Sequence, residues 1–488
     1  MEKGHERQLT IAVDMIPYRK DGSNGGIVPA TVETIRGLKD YGLTIYILTS
    51  QDNFEHLRFL EKLGAKCVNV EEEPQKPDAA VHSAPLIITD DSNIIPAKVQ
   101  IYHKVKHHIA GIVPQGIYDF CVRHATQFRN IRIALTHPYE KLFKPIARWI
   151  APHRLVEYHV KRNLIRITDQ RDDTKENRII DTKRSLRELI GEAVDVMYCP
   201  FTGITYYDPS VPCLSQINDI QHKYLPFFFT DTEFQNRERF YQDLIEKHCY
   251  LFAISDYTRK TFIDSYSISE DRIRTIHLSI RDRLQTVSDG ECKKKLADKG
   301  LENIEFAFYP ANFWKHKNHK TLILAYNMFK IRHPESQLHL VFTGYETEEI
   351  DDLHLAIQKM GLEQSIHFLG YVDDEMVSVL YQTCKYFVFP SLFEGFGLPL
   401  LEAMNAGKPI LCSNVTSIPE IVGNCAVFFD PYDPESVCQA LEDVESHPSI
   451  IMQKMKTYDK QLEKFSEDVY LKALVDYMWE IKRMENKS

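Results

Sequence analysis

Residues 390–407, P-S-L-F-E-G-F-G-L-P-L-L-E-A-M-N-A-G, predict a β-strand that runs into a glycine-rich turn and then into a helix. Pro399 suits the first helical turn, because its missing N–H has no partner to lose there. Gly407 suits a left-handed exit from the helix. The helix should therefore begin near Gly397 and Leu398, at the carboxyl end of a strand.

This predicted helix start has the properties of a phosphate site, because free backbone N–H groups and the positive end of the helix dipole attract anions. Gly395 and Gly397 carry no side chains, so the backbone can approach a diphosphate closely. Glu394 precedes the turn and can accept sugar hydroxyls, while Glu402 lies inside the helix and can accept ribose hydroxyls. An ordinary strand-to-helix turn is the alternative, and the combined pattern disfavours it. The predicted donor-binding residues of the turn itself are Gly395, Phe396, Gly397 and Leu398.

Short apolar runs alternate with helical stretches along both halves of the chain. Strand candidates in the first half are residues 9–13, 43–48, 80–88, 131–135, 194–199, 214–217 and 251–255. Those in the second half are residues 304–309, 338–343, 366–369, 386–390, 408–413 and 426–429. Alternation at this spacing predicts an α/β protein with doubly wound parallel sheets.

A chain of 488 residues is too long for one compact core, so two domains are expected. The charged span 279–301 has few strand signals and is the predicted linker. We therefore expect a Rossmann-like acceptor domain over residues 1–280 and a nucleotide-sugar-binding domain over 281–465. The remaining residues, 466–488, should form a helix that packs back on the first domain.

Composition excludes several classes of protein. The formal net charge of −10 opposes nucleic acid as a partner, because no overall basic field displaces counterions. Ten cysteines without C-x2-C spacing oppose zinc sites and disulfide frameworks, and they suit a reducing compartment. The start M-E-K-G-H-E-R-Q-L-T is too charged for a secretory signal, and no uncharged apolar run reaches about 18 residues. We expect a cytoplasmic protein, with peripheral contact at the inner face of a membrane as an option.

Residues 136–190 fit the α/β pattern poorly and are predicted to be a basic insertion. Residues 141–166 hold seven lysines and arginines against one acidic residue, and they also carry apolar and aromatic side chains. Such a stretch can lie on an anionic membrane or hold an anionic acceptor. A solvated helical insertion is the simpler alternative, and we favour it.

No metal site is predicted. His103, His107 and His108 cluster in I-Y-H-K-V-K-H-H, but no H-E-x-x-H carboxylate accompanies them. No D-x-D motif follows an apolar strand either. The sequence therefore gives no reason to expect a bound cation.

The turn resembles the signature of the family-4 (group 1) retaining glycosyltransferases, whose hallmark is a Glu-x7-Glu motif. Residues 407–431 and 309–327 are also similar to the family, as are short patches of the first half, including D-I-Q-H-K-Y-L-P-F-F-F and I-S-D-Y-T-R-K. The resemblance implies a GT-B fold, in which two Rossmann-like domains face each other across a cleft. It further implies a nucleotide-diphosphate sugar as co-substrate, with the donor mainly on the second domain, and neither cofactor nor metal.

The resemblance assigns roles to residues of the second domain. Lys317, in W-K-H-K-N, can neutralise the leaving diphosphate. Family members usually have an arginine shortly before this lysine, whereas this chain has Ala311 and Asn312; Lys315 or Lys320 can substitute. Gly344 follows a strand on the donor side, and Glu420 in S-I-P-E is expected to cap a helix beside the site.

In the first domain the resemblance places four further positions at the cleft on the acceptor side. Gly25 and Gly26 form a loop there, although a simple tight turn explains them almost as well. Asn218 stands where the family often has a histidine beside the reacting sugar, and Asp219 follows it. His222 is either a site residue or a structural turn histidine.

The implied activity is retaining transfer of a hexose to a glycan or lipid-linked glycan acceptor in cell-surface polysaccharide synthesis. The turn followed by S-I-P-E-I-V-G is most similar to mannosyltransferases, so GDP-mannose is the first candidate donor, and UDP-hexoses remain alternatives. Two other functions stay open. One is a catalytically impaired nucleotide-sugar-binding protein of the same fold, and the other is a different GT-B enzyme, such as a sugar-nucleotide epimerase or an inverting transferase.

Overall fold

The computed structural model describes residues 8–18, 27–71, 130–134, 154–159, 164–169, 184–280, 283–345 and 350–486. The chain divides into a larger compact unit, Met1–Glu72 with Ile179–Ser488, and a smaller one, Glu73–Arg178. The larger unit contains two parallel sheets, which confirms the predicted α/β class.

The first sheet has seven parallel strands in the order β10-β9-β8-β7-β1-β2-β3. Its middle strands are short and almost wholly buried, as expected where helices cover both faces of a parallel sheet. The bounds are β1 Thr10–Asp14, β2 Thr44–Thr49, β3 Lys66–Asn69, β7 Val196–Cys199, β8 Cys213–Ile217, β9 Tyr250–Ala253 and β10 Ile273–Thr275.

The second sheet has six parallel strands in the order β13-β12-β11-β14-β15-β16. Strand order reverses between β11 and β14, and ligands bind beyond the carboxyl ends of strands at such a switch point. The bounds are β11 Glu305–Pro310, β12 Leu338–Thr343, β13 Ile366–Phe368, β14 Tyr386–Phe389, β15 Ile410–Ser413 and β16 Val427–Phe429.

Helices cover the sheets of the larger unit. Those around the first sheet are α1 Ile27–Asp40, α2 Gln51–Leu57, α3 Leu186–Ile190, α4 Gln221–Tyr224, α5 Asp231–Glu246 and α6 Asp256–Tyr266. Those that follow are α7 Asp289–Asp298, α8 His319–Arg332, α9 Ile350–Met360, α10 Asp374–Thr383, α11 Leu398–Asn405, α12 Ile418–Val422, α13 Pro434–Ser446, α14 Pro448–Met455, α15 Tyr458–Leu462 and α16 Glu467–Glu485. Helix α7 lies inside the span that we expected to be a linker.

The final helix, α16, packs on elements of the first sheet. The hydroxyl groups of Thr34 in α1 and Tyr470 in α16 lie 3.0 Å apart in the core. Lys482 pairs with Asp195 at 2.8 Å, just before β7. Residues that are last in sequence therefore stabilise the layer built by the first residues.

The smaller unit contains a three-stranded antiparallel sheet in the order β4-β6-β5. Its strands are β4 Asn130–Ala134, β5 Arg154–His159 and β6 Leu164–Asp169. Two expectations are corrected here: residues 131–135 do not join a parallel sheet, and residues 154–159 and 164–169 are strands rather than helices. Alternation of β-branched or aromatic residues with polar ones in these runs favours a strand.

The predicted strand over residues 80–88 and the histidine cluster His103, His107 and His108 lie outside the described residues. None of the helices in the described ranges is both long and apolar enough to cross a bilayer.

Candidate functional site

The glycine-rich turn joins β14 to α11 at the carboxyl edge of the second sheet, where the sequence predicted it. Gly397 adopts φ +110°, a left-handed conformation that L side chains rarely adopt, and α11 starts at the next residue with Pro399 in its first turn. Phe396 is buried and packs against Phe465. The turn is thus held between the core and the start of the helix.

Glu394 and Lys317 meet at this turn. The Lys317 Nζ lies 2.6 Å from the Glu394 Oε1, and the two side chains are only 15% and 12% exposed. Lys317 ends a short 3₁₀ turn after β11, and the hydroxyl of buried Tyr309 donates to its carbonyl at 3.0 Å. The structure therefore brings together a cation and a carboxylate that are 77 residues apart in sequence.

Four successive backbone amides of the turn have no hydrogen-bond acceptor in the part of the chain that the structure describes. Among the described residues, no acceptor pairs with the N–H groups of Gly395, Phe396, Gly397 and Leu398. The amide of Glu394, in contrast, donates to the Thr416 hydroxyl at 3.2 Å. Unpaired amides at a helix N-terminus are suited to an anionic ligand.

The missing side chain of Gly395 also has a structural consequence. A Cβ at this position would lie 1.9 Å from the carbonyl oxygen of Asn218, so the missing side chain admits the loop after β8 of the first sheet. The glycine pair therefore serves two purposes: Gly397 makes the turn, and Gly395 lets elements of the two sheets meet.

Glu402 is held in a buried ion pair. Its side chain is 1% exposed, and its two oxygens accept from the Nε and Nη2 of Arg283 at 2.6 and 2.8 Å. The Tyr381 hydroxyl adds a third hydrogen bond at 3.0 Å. Burial opposes the charge of Arg283, but the bonds to Glu402 raise the pKa of Arg283 above its usual value. The carboxylate that was predicted to hold ribose hydroxyls is therefore engaged by side chains of the protein in this structure.

Two histidines lie near Lys317 in sequence, half-buried His316 and buried His319. The His316 carbonyl accepts from the Leu392 amide at 2.8 Å, which ties the lysine loop to the turn. His319 stacks on Phe313 with ring centroids 4.4 Å apart. Burial, reinforced by the Lys317 charge, lowers the pKa of His316 to about 2 and that of His319 to about 3. Both rings are therefore neutral near pH 7, which leaves Lys317 as the cation between them.

The other predicted donor-side positions surround the same edge. Gly344 follows β12, and a Cβ there would lie 2.5 Å from the Ala311 carbonyl oxygen, so it allows close packing of two strand ends. Lys315 and Lys320, the candidate substitutes for the family arginine, are exposed and lie on either side of Lys317. Gly25 and Gly26 lie outside the described residues.

Asn218 lies at the carboxyl end of β8, and its side-chain amide is engaged locally. Its Oδ1 accepts from Gln216 at 2.7 Å, and its Nδ2 donates to the Thr202 hydroxyl at 2.8 Å and the Pro200 carbonyl at 3.2 Å. These bonds fix the loop whose backbone meets Gly395. In this structure the Asn218 side chain shapes the wall of the site.

Asp219 and His222 form part of the same wall. Asp219 pairs with Arg237 of α5 at 3.1 Å. His222 is fully buried, with its Nε2 2.6 Å from Glu238 and its ring stacked on Tyr241. Burial lowers the pKa of His222 despite the bond to Glu238. Of the two alternatives for His222, this geometry is that of a structural histidine.

Helix α6 of the first-sheet side is joined to the second-sheet side by Glu420. The two oxygens of Glu420 accept from the amides of Asp256 and Tyr257 at 2.8 and 3.1 Å, so Glu420 caps α6 rather than its own helix. The ring of His277 lies 2.5 Å from the same carboxylate. Nearby, the Gly395 carbonyl accepts from Ser255 at 2.7 Å. These contacts bring the start of α6 against the glycine-rich turn.

Sequence reasoning missed several residues of this site. Arg283 lies in the expected linker, and its partner is 119 positions away, so no local pattern identifies the pair. Ser255 had a signal, since S-D-Y-T is typical of a helix N-cap. The capping bond is present, from the Thr258 amide to the Ser255 Oγ at 3.1 Å, but the additional bond to Gly395 depends on tertiary structure.

Part of the chain is similar in sequence to known glycosyltransferases. Residues 293–462 match the sequence model of the family described as "Glycosyl transferases group 1". The O-antigen chain mannosyltransferase B of Escherichia coli is 35% identical over 201 residues, which cover 40% of this chain and 51% of that protein. The O-antigen chain mannosyltransferase RfbU of Salmonella typhimurium is 25% identical over 244 residues, 50% of this chain and 64% of that protein. The matched region therefore spans about half the length of the first relative.

Solved structures share the fold. A glycosyltransferase from Rickettsia africae has a TM-score of 0.57 at 13% identity, covering 97% of this chain and 99% of that one. Anabaena HepE, solved with UDP and glucose, has a TM-score of 0.58 at 12% identity, covering 97% and 100%. These likenesses, with the two parallel Rossmann-like sheets, confirm the predicted GT-B fold. Residues 293–462 match the group 1 glycosyl transferases, in agreement with the family resemblance of the sequence.

Proposed function

We propose that this protein is a retaining glycosyltransferase that moves a hexose from a nucleotide-diphosphate sugar to a glycan or lipid-linked glycan acceptor. The observation that carries the proposal is the Lys317–Glu394 pair beside a run of unpaired amides at the start of α11. The names of the Escherichia coli and Salmonella relatives make mannose, and hence GDP-mannose, the first candidate donor.

The donor diphosphate binds at the turn in this proposal. The unpaired amides from Gly395 to Leu398 supply hydrogen bonds, and the α11 dipole adds a favourable field. Lys317 supplies a full positive charge at the same place, in a site where the side chain is mostly shielded from water. Charge that develops on the leaving diphosphate is therefore stabilised by donors already in place.

Glu394 binds hydroxyl groups of the transferred sugar. In this structure its carboxylate is paired with Lys317 at 2.6 Å. Donor binding gives each partner a second role, because the lysine gains phosphate oxygens and the carboxylate gains sugar hydroxyls as hydrogen-bond donors. The ion pair keeps both groups positioned before the donor arrives.

Transfer with retention needs no dedicated strong base in this scheme. The leaving diphosphate accepts the acceptor's proton on the face where the new glycosidic bond forms. The Asn218 amide cannot titrate, and it acts by holding the wall opposite the turn. Lys317 and the amides carry the electrostatic role, so we propose that no divalent cation is needed at the donor.

The acceptor approaches from the side of the first sheet, beside Asn218 and Asp219. We keep a glycan of cell-surface polysaccharide synthesis as the first candidate acceptor. Contact of the basic stretch 141–166 with an anionic membrane remains a prediction, as does a cytoplasmic location.

A thermal-shift panel of nucleotide sugars tests the donor, since a ligand that binds only the folded state raises the melting temperature. GDP-mannose, UDP-glucose, GDP and UDP are compared, and GDP-mannose is expected to give the largest shift. NMR of the glycoside formed from that donor then gives the anomeric configuration, and an inverted product would contradict retention.

The substitution at Asn218 favours one competing function, a nucleotide-sugar-binding protein without turnover. The intact Lys317–Glu394 pair opposes it. Release of free sugar from the bound donor, or its transfer to an acceptor, separates the two functions. Binding without either reaction across a broad acceptor panel would favour the impaired protein.

A further inference from the structure

The carbonyl groups of the glycine-rich turn are held from behind by side-chain hydroxyls. Ser417, fully buried before α12, places its Oγ 2.9 Å from the Glu394 carbonyl oxygen and 3.1 Å from that of Phe396. The carbonyl between them, that of Gly395, lies 2.7 Å from the Ser255 Oγ and 3.2 Å from the Thr258 Oγ1. Three successive carbonyls therefore lie within hydrogen-bond distance of three hydroxyls, and the single proton of Ser417 is shared between two of them.

Peptide geometry converts these bonds into orientations of amides. A trans peptide is planar, and its N–H points opposite to its C=O; the described chain has no cis peptide bond. The carbonyls of Glu394 and Phe396 both point toward the Ser417 hydroxyl, so the N–H bonds of Gly395 and Gly397 both point away from Ser417. Ser255 and Thr258 fix the amide of Phe396 in the same manner.

These three amides are among the four of the turn for which the described structure offers no acceptor. Their direction is therefore set from the carbonyl side, without help from a ligand. A binding site whose donors are fixed beforehand loses less conformational entropy when the ligand arrives.

Two of the three hydroxyls belong to the side of the first sheet. Ser255 and Thr258 lie at the start of α6, and Glu420 caps the same helix end from the second-sheet side with bonds of 2.8 and 3.1 Å. The turn itself belongs to the second sheet. The orientation of the donor-site amides thus depends on an intact contact between elements of both sheets.

We propose that Ser417, Ser255 and Thr258 are positioning residues that orient the amides of Gly395–Gly397 toward the donor diphosphate. This inference rests on the proposed function, because it concerns the same site. It adds that α6 of the first-sheet side completes the diphosphate site of the second sheet.

Calorimetric titration with GDP and UDP tests the inference, using Ser417→Ala and Thr258→Val. Ser417→Ala leaves the carbonyls of Glu394 and Phe396 without their hydroxyl and should weaken binding of the preferred nucleoside diphosphate about fivefold, because two peptides of the turn lose their orientation. Thr258→Val should weaken it less, about threefold, because Ser255 still bonds the Gly395 carbonyl. Affinity for the matching nucleoside, guanosine or uridine, measured by competition, should stay within twofold. A merely structural role would weaken both ligands together. Ser255 is not substituted, because it also caps α6.

Matched controls lie close by. Thr261→Val removes another hydroxyl of α6, which bonds the carbonyls of Tyr257 and Thr258 within that helix at 2.8 and 3.1 Å. Ser413→Ala removes a buried hydroxyl that bonds the Phe389 carbonyl at 3.2 Å. Both should bind the diphosphate as the unaltered protein does, and Thr258→Ser should restore the affinity lost in Thr258→Val.

The outcomes separate the two levels of the argument. Unaltered protein that binds neither GDP nor UDP overturns the proposed function together with this inference. Normal binding by the unaltered protein, with no difference between the test variants and their controls, overturns the inference alone. Equal loss of nucleoside and nucleoside diphosphate affinity also overturns it.

Discussion

The carboxyl edges of the two sheets have opposite hydrogen-bonding states. At the second sheet, the turn from Gly395 to Leu398 presents amides that have no acceptor among the described residues. At the first sheet, the side chains of Asn218, Asp219 and His222 each bond a neighbour of their own layer, and among these three only the Nδ1 atom of His222 is a buried polar atom without a partner in the described structure. An edge that leaves donors unpaired is prepared for a ligand, while an edge that pairs its own groups makes a rigid wall.

The largest expected effect is at Glu394. Replacing it by alanine removes both the partner of Lys317 and the predicted acceptor of sugar hydroxyls, so transfer should fall about 1,000-fold. Steady-state turnover of the preferred nucleotide sugar measures it. The Glu394→Gln variant keeps the size of the side chain, and a variant of either kind with near-normal turnover would break the contrast between the two edges.

Lys317 comes next. Lys317→Ala removes the charge that neutralises the leaving diphosphate, and the rate should fall about 100-fold while the acceptor KM stays nearly constant. Lys317→Arg preserves charge and should recover part of the rate. Equal damage by both substitutions would indicate that packing, rather than charge, is what the site requires.

The buried pair of Arg283 and Glu402 should affect stability. Arg283→Met leaves a carboxylate that is 1% exposed without its cation, which should lower the free energy of unfolding by about 2 kcal/mol. The expected loss is smaller than for a fully buried ion pair, because the Arg283 side chain is 31% exposed. Urea unfolding measures the change. The double variant with Glu402→Met should recover most of it, and no recovery would contradict a direct pairing.

His319 gives a pH-dependent stability that sharpens the comparison of the two edges. Burial lowers its pKa to about 3, so the folded state resists protonation that the unfolded chain accepts below about pH 6.5. The contribution of neutral, buried His319 to the free energy of unfolding is therefore fully present well above pH 6.5 and is lost as the pH falls below that value. Between pH 7.5 and 5.5 the loss from this group should be about 1 kcal/mol.

The variant His319→Phe keeps the stacking on Phe313 and should remove that loss. Thermal unfolding at the two pH values measures it, and the difference between variant and parent cancels other titrating groups. Asp14 is one of these, since burial raises its pKa to about 6. His222→Phe should give a smaller change, because Glu238 partly offsets the burial of that ring. An unchanged pH dependence in His319→Phe would contradict the assigned burial effect.

The smallest effect on transfer is expected at Asn218. Asn218→Ala removes three hydrogen bonds that fix the loop against Gly395, so activity should fall about fivefold, mainly through looser packing. Donor turnover with Asn218→Ala and Asn218→Asp measures it. A loss as large as that of Glu394→Ala would assign Asn218 a direct part in the reaction.

Sequence patterns predicted the second sheet well for a physical reason. Strands such as β14, Y-F-V-F, are buried on both faces, so their apolar runs stand out from the polar loops. Residues 131–135 also contain an apolar run, but it pairs antiparallel with β6, from Asn130 with Thr168 to Ala134 with Leu164. Pairing over such a distance has no local signature, and the parallel arrangement expected there was wrong.

The candidate site follows the same division. Glycines, the helix start and Lys317 could be predicted, because each has a local backbone or charge pattern. The Arg283–Glu402 pair and the buried state of His222 could not, since both depend on which distant side chains pack against them. The contact between Gly395 and Asn218 could not be predicted either, because Asn218 comes from another part of the chain.

The most direct measurement is a crystal structure of the protein with its preferred nucleoside diphosphate. The account predicts phosphate oxygens about 3 Å from the backbone nitrogens between Gly395 and Leu398, with Lys317 Nζ on the same phosphate group. A diphosphate bound elsewhere, with those amides still unpaired, would contradict it.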